Sequence, residues 1–345
     1  MIDMKSVVLP SENEITDRWK SEDVIVSVLC TTFNHEQYIE DAIIGFLMQI
    51  TDFAFEVILH DDASTDGTTE VIKKYHTLYP KIIKPIYQEE NQYSKGGFKP
   101  IPYASQFAQG QYIALCEGDD YWCDDDKLQL QFEAMSLYEN LNLSFHACEY
   151  IYEGRAKKIM NSYSSGFKVF SFLEVVQGGG AFIPTASIMV KKEVFNYLIP
   201  WIKVAPVGDL YIQMVGSIDG GALFIPKLKS GYTVLGEGSW TKEAYSISKS
   251  KIEEIYRGHL IALDNVSDLV GVNRKSCIDI ARAMQAQNCA SMSLNNKHYK
   301  TFQYYIEESY SYSKNLSKLQ GVMFLLKSFP SFLYLIKKIA RYFKL

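Results

Sequence analysis

Apolar residues fall in short blocks along the first half of the chain, separated by segments of helical period. Val24-Ile25-Val26-Ser27-Val28-Leu29-Cys30 is short and β-branched, the pattern of a central strand buried on both faces. Thr31-Thr32-Phe33-Asn34 then turns the chain. From Glu36 to Ile50 the positions Tyr38, Ile39, Ala42, Ile43, Phe46 and Leu47 recur at helical spacing, with Asn34 as N-cap and Gln37 completing a capping box. The unit repeats: Phe55 to His60 reads as a strand, runs into Asp61-Asp62-Ala63-Ser64-Thr65-Asp66-Gly67-Thr68, and leads to a helix toward Tyr79 that Pro80 closes. Ile82 to Tyr87, Tyr112 to Cys116 and Leu143 to Tyr152 are further strands, and Lys127 to Tyr138 is an amphipathic helix. This alternation predicts an α/β fold with a mainly parallel central sheet and helices on both faces. In such sheets ligands bind at the carboxyl ends of the strands.

The second half is less regular. Gly154 to Gly166 is polar and expected to form a mobile insert. Gly178-Gly179-Gly180 reads first as a plain flexible loop and also permits close backbone approach or a hinge, and the run Ala181 to Val190 after it is apolar apart from Thr185 and Ser187. Val207-Gly208-Asp209-Leu210 opens a helix through Ile218. The chain divides into a lead-in (1–23), an α/β domain (24–240, with halves 24–140 and 141–240) and a helical C-terminal region (241–345).

Composition removes several function classes. With 345 residues, 47% hydrophobic, the chain can bury a sizeable core. A net charge of -5 argues against a nucleic-acid binder. The six cysteines show no CxxC pairing and fit reduced thiols in the cytoplasm. Met1 to Lys20 lacks the basic start and apolar core of a signal peptide, and no apolar run reaches the ~20 residues a membrane span needs. The tail breaks the acidic balance. After Glu308 there is no acid, while Lys314, Lys318, Lys327, Lys337, Lys338, Arg341 and Lys344 are interleaved with large apolar residues. This suits a peripheral attachment to the headgroup layer of an anionic membrane, the other reading being a helix pair packed on the domain with its lysines in water.

Three predicted loops share one sheet edge: Thr31 to Asn34, Asp61 to Asp66, and Glu117 to Trp122. The third is acidic, with Glu117, Asp119, Asp120, Asp124, Asp125 and Asp126 in close succession. Asp124 to Asp126 directly precede a helix and read as helix-start acids. Glu117, Asp119 and Asp120 follow a buried strand, where gathered carboxylates repel one another unless a cation sits among them, and oxygen ligands suit Mg²⁺ or Mn²⁺. No loop carries GxGxxG or a Walker lysine. An Asp-Asp pair for base or ribose and a divalent ion for diphosphate together suggest a nucleotide-diphosphate donor.

The segment following Val24 resembles the nucleotide-sugar half of family 2 glycosyltransferases of the GT-A fold. The family's Pro-Thr-Tyr-Asn stands here as Thr31-Thr32-Phe33-Asn34, and its Asp-Asp-Gly-Ser-Thr-Asp-Gly-Thr as Asp61 to Thr68. Its Ala-Lys-Gly-Glu-Tyr-Ile-Ala before Asp-x-Asp-Asp stands as Ala108 to Ala114 before Glu117-Gly118-Asp119-Asp120. Glu117-Gly118-Asp119-Asp120-Tyr121-Trp122 is similar to a variant in bacterial capsule and O-antigen transferases. The resemblance implies that Thr32, Phe33, Asp61 and Asp62 hold base and ribose, that Glu117 approaches the ribose or diphosphate, and that Asp119 binds the metal. Asn91 matches a family Asn, and Lys95 stands in for an Arg missing after it. Asp209 matches the general base of an inverting transfer. Asp120, Trp122, Thr185, Ser187 and Trp240 fall on the acceptor side. The Tyr-Arg-x-His that often follows in relatives is replaced by the uncharged stretch from Tyr232. The implied activity is inverting, metal-dependent transfer from a UDP-sugar to a saccharide, lipid-linked on polyprenyl diphosphate. The rivals are a nucleotidyltransferase, which would need a Gly-rich phosphate loop near the first strand, and a non-catalytic carbohydrate-binding scaffold, for which the missing Arg and His speak.

Overall fold

The computed structural model describes residues 4, 7–152, 158–234 and 247–342. It holds two compact units, Met1–Lys203 with Gly208–Val234, and Val204–Val207 with Leu235–Leu345. The expected boundary at 240 lies outside the described residues.

The first unit contains, in chain order, α1 (Glu12–Thr16), β1 (Val24–Thr32), α2 (Ile39–Leu47), β2 (Ala54–Asp61), α3 (Thr68–Leu78), β3 (Ile83–Tyr87), α4 (Pro100–Ala104) and β4 (Tyr112–Glu117). There follow β5 (Tyr121–Trp122), α5 (Lys127–Leu137), β6 (Leu143–Tyr152), β7 (Lys158–Met160), β8 (Lys168–Phe170), α6 (Phe172–Gly178), β9 (Met189–Lys191), α7 (Val194–Leu198), α8 (Asp209–Gly216) and β10 (Ala222–Val234). One sheet runs β3-β2-β1-β4-β9-β6-β10-β5, with β7 added on β6 and β8 on β10. The pairs β1–β2, β1–β4, β2–β3 and β6–β10 are parallel. The short strand β9 enters antiparallel between β4 and β6. β2 is buried along its whole length, its polar Glu56, His60 and Asp61 included. Register decides the edge: Thr31 lies beside Glu117 and Thr32 beside Asp61, so three strands end level with one another.

Several local expectations change. No capping box starts α2: its N-cap position is Tyr38, without a side-chain cap bond. Asn34 instead has φ 55, and its Oδ1 accepts the Thr65 N–H at 2.8 Å while its own N–H reaches Ser64 Oγ at 2.9 Å. A short amide side chain that satisfies a neighbouring loop has no need to cap its own helix. The polar stretch after Gly154 is in part ordered, since β7 pairs antiparallel with β6, residues 153–157 lying outside the described set. The apolar run from Ala181 is a strand only from Met189. Before it, a 3-10 turn at Thr185–Ser187 follows Pro184, whose carbonyl accepts the Ser187 hydroxyl at 2.7 Å.

The second unit is helical: α9 (Lys249–Leu269), α10 (Lys275–Asn295), α11 (Tyr299–Tyr312), α12 (Lys318–Leu325) and α13 (Pro330–Tyr342). Ile252, Tyr256, Cys289, Phe302, Tyr305, Met323 and Leu333 form its core. Among the described residues no helix is long and apolar enough to cross a membrane. All six cysteines are free thiols.

Candidate active site

The three strand ends are held by side chains that the loops exchange. Asp61 accepts the Ser64 N–H at 3.0 Å, the Ser64 hydroxyl at 2.6 Å and the Thr69 hydroxyl at 2.5 Å. Asp62 accepts the N–H groups of Gln92 and Tyr93, both at 2.9 Å, and so anchors the segment that carries Asn91 and Lys95. Asn91 in turn accepts the Ser94 N–H at 2.7 Å. Lys95 is exposed and paired with Glu90, so its charge is already balanced at the surface. Thr32 is buried with its hydroxyl unpartnered, and Phe33 is exposed beside it.

The acidic loop is pinned on two sides. Toward β1, the Gly118 N–H bonds the Thr31 carbonyl at 2.9 Å. A Cβ at position 118 would lie 2.7 Å from Thr32 Oγ1 and 2.9 Å from His35 Nδ1, so only glycine lets the loop approach this closely. Toward β10, the Thr233 N–H donates to Asp120 Oδ1 at 2.9 Å and the Thr233 hydroxyl to the Asp119 carbonyl at 2.6 Å. β5 also pairs with Ser230 and Gly231 of β10. Ligand atoms of Glu117, Asp119 and Asp120 thereby lie within 4.8 Å of one another.

This gathering is electrostatically costly. Burial pushes Glu117 up to about 8, with the charges of Asp119 and Asp209 adding to it. Asp120 is driven well above the carboxylate range by burial and then by Asp119 and Glu117, and its Oδ2 is buried with no hydrogen-bond partner. An orphaned carboxylate oxygen, two neighbouring carboxylates and no cation within the loop itself fit a divalent metal, and all-oxygen donors suit Mg²⁺ or Mn²⁺.

Asp209 opens α8 at its first helical position, after Gly208 at the N-cap. Burial pushes its carboxyl up, against the N–H groups of Leu210 and of Asp209 itself and the charge of Lys99, which favour the ionised form. The triple glycine brings backbone to this point. Gly179 ends α6 with φ 68, and a Cβ on Gly180 would reach within 4.0 Å of Asp209 Oδ2. Gln213, one turn along α8 from Asp209, fixes the approach by donating to the carbonyls of Gly180 and Ile183, both at 3.0 Å. Of the three, Gly178 admits no side chain, since a Cβ there would lie 2.3 Å from the Phe182 ring, whereas Gly180 has room for one.

Not every expected residue faces this edge. Trp122 and Ser187 are fully buried, and Thr185 is nearly so. The Trp122 indole N–H donates to the Ala186 carbonyl at 3.0 Å, and its ring packs against Phe46 with centroids 4.8 Å apart, so it anchors the core instead of meeting an acceptor. Trp240 lies outside the described residues. Asp124 and Asp126 do more than start a helix: both pair with Lys229 of β10, a side chain only 2% exposed, at 2.6 Å for Asp124. Sequence reasoning missed Thr233, Lys99 and Lys229. Thr233 and Lys229 lie on a strand whose run is interrupted by Pro226, Lys227 and Gly231, and nothing in sequence links Lys99 to Asp209.

Residues 27–196 match the family described as Glycosyl transferase family 2. TuaG of Bacillus subtilis, named as a teichuronic acid biosynthesis glycosyltransferase, is 37% identical over 232 residues, 67% of this chain and 82% of that protein. The chain belongs to glycosyltransferase family 2. This family 2 transferase is also 32% identical over 254 residues to an uncharacterized protein of Mycobacterium tuberculosis, covering 72% of this chain and 70% of the other. Its fold is similar to that of S. aureus TarS 1-349, crystallised in complex with UDP-GlcNAc, with a TM-score of 0.53, 16% identity, and 85% and 90% of the two chains covered. At that identity the likeness carries the GT-A fold.

Proposed function

We propose that the protein is an inverting, metal-dependent transferase that moves a sugar from a UDP-sugar to a saccharide acceptor carried on polyprenyl diphosphate, in synthesis of a surface polysaccharide of the capsule or O-antigen kind. The observation that carries this reading is the meeting of Glu117, Asp119 and Asp120 at the end of β4, with Asp209 near enough for its charge to act on Glu117. The names of TuaG and of the TarS complex support a cell-surface polymer and a UDP-sugar.

Thr32, Phe33, Asp61, Asp62 and Asn91 line the base and ribose side, and Glu117 faces the ribose and diphosphate. Mn²⁺ or Mg²⁺, held by Asp119 with Glu117 and Asp120 beside it, would supply the positive charge that stabilises a departing nucleoside diphosphate. Asp209 takes the proton from the acceptor hydroxyl, which attacks the anomeric carbon from the face opposite the leaving group. Burial makes that carboxylate a stronger base than an exposed one. The charge of Lys99 favours the ionised form of Asp209, against the larger effect of burial. Lys95, engaged by Glu90, would have to exchange that partner for a phosphate to serve the donor.

Asp209→Asn tests the assignment. The variant should bind UDP as the wild type does and lose transfer by about 10²- to 10⁴-fold, the usual contribution of a general base. Normal turnover by this variant removes Asp209 from the mechanism.

A further inference from the structure

Helices α12 and α13 carry apolar side chains on two faces, and only one of these faces is covered. The inner face packs within the helical unit: Met323 and Leu333 join its core, and buried Gln320 donates to Ser309 Oγ at 2.9 Å and to the Ser313 carbonyl at 2.7 Å. Among the described residues, the outer face has no such partners. Leu325 is 80% exposed, Phe329 65%, Phe332 55% and Leu335 51%, with Val322 and Ile336 exposed beside them. At 100° per residue, the exposed apolar side chains of α13, Phe332, Leu335 and Ile336, span an arc of about 100°, offset from Leu333, and Phe329 directly precedes the helix. A helix pair that merely packs on its neighbours needs the first face and gains nothing from the second. Soluble surfaces scatter large apolar residues singly, so a run of them marks an interaction site.

Charge identifies the partner. No acid follows Glu308, and Lys314, Lys318 and Lys338 are exposed, the last two on the helices themselves, while Lys327 is neutralised by Glu307 at 2.5 Å. A symmetric contact between two copies of this face would set lysines near lysines, which opposes dimerisation. An anionic lipid surface satisfies both halves of the pattern, taking apolar side chains among the acyl chains and ammonium groups among the headgroups. Since no described helix is long and apolar enough to cross the bilayer, these helices would lie in its plane.

We propose that α12 and α13 form a docking surface for an anionic bilayer, with Leu325, Phe329 and Phe332 inserted and Lys314, Lys318 and Lys338 at the headgroups. Its purpose, though not its chemistry, rests on the transferase reading: attachment brings the site to a lipid-linked acceptor.

The test is co-sedimentation of the full chain with vesicles of phosphatidylglycerol and phosphatidylethanolamine, and with phosphatidylcholine vesicles. Wild type should pellet with the anionic vesicles, less so as salt rises, and weakly with phosphatidylcholine. Each surface lysine contributes roughly five-fold in partitioning, so K314Q/K318Q/K338Q should bind roughly 100-fold more weakly. F329S/F332S should lose binding and keep the wild-type melting temperature, because both side chains are exposed. Wild-type protein that stays in the supernatant with anionic vesicles overturns the proposal. So does undiminished binding by F329S/F332S, or a concentration-dependent dimer that the serine substitutions abolish without any vesicle binding. UDP titration of the same preparations separates this outcome from a failure of the transferase reading, because these substitutions lie outside the donor site.

Discussion

Lys127 is the buried cation of the first unit whose surroundings least favour its charge. Its ammonium bonds Gln131 Oε1 at 2.6 Å and lies 4.1 Å from the centre of the Trp122 ring, and burial pulls its pKa down to about 7. In the unfolded chain a lysine holds its proton to about 10.4. Between these values the unfolded state binds more protons, so stability rises with pH through the window and is flat on either side. The slope is at most about 1.4 kcal/mol per pH unit. Urea unfolding of wild type and Lys127→Met from pH 7 to 10 should show the difference between them growing in favour of wild type as pH rises. Parallel curves would mean that Lys127 keeps an ordinary pKa. Residues of this kind also mark where sequence reading stops. Asp61, Asp62, Glu117 and Asp119 were legible because a buried strand ends where its apolar run gives way to acids, and register then brings the ends together. Trp122 looked equally well placed, yet β5 tucks under α2, where Phe46 meets its ring. That contact belongs to residues far apart in sequence.

At the scale of elements, β10 governs the geometry of the acidic loop. It pairs parallel with β6, and its second half offers Ser230 and Gly231 to β5 and Thr233 to the loop itself. Thr233→Val keeps the shape and the N–H that holds Asp120 but removes the hydroxyl from the Asp119 carbonyl. A hydrogen bond of about 1 kcal/mol corresponds to roughly five-fold, so Mn²⁺ affinity should fall by about that much and return with Thr233→Ser. Unchanged affinity in the valine variant would show that the Thr233 hydroxyl does not set the loop. The strands β1, β2, β4 and β6 were readable from their apolar runs. β10 was not, because Pro226, Lys227, Lys229 and Gly231 interrupt the run and its register with β6 shifts at two points. Irregular pairing of this kind destroys the period that a sequence pattern depends on.

On the scale of the whole molecule, charge is segregated. Carboxylates converge at the strand ends of the first unit, while the last helices of the second carry cations and no acids. The alternation of strands and helices made the α/β class legible, and the family motifs made the donor edge legible. The exposure of an entire apolar face on α12 and α13 was not, since sequence alone does not say which of two apolar stripes a helix buries. The central claim is that the acids at the end of β4 hold a metal that binds a nucleoside diphosphate. Calorimetric titration of UDP into the full chain, with and without Mn²⁺, and into Asp119→Asn tests it most directly. Binding should require Mn²⁺ and weaken by about ten-fold or more in the variant, as for loss of a charged ligand. Equal UDP affinity with and without the metal, or in wild type and variant alike, would contradict it.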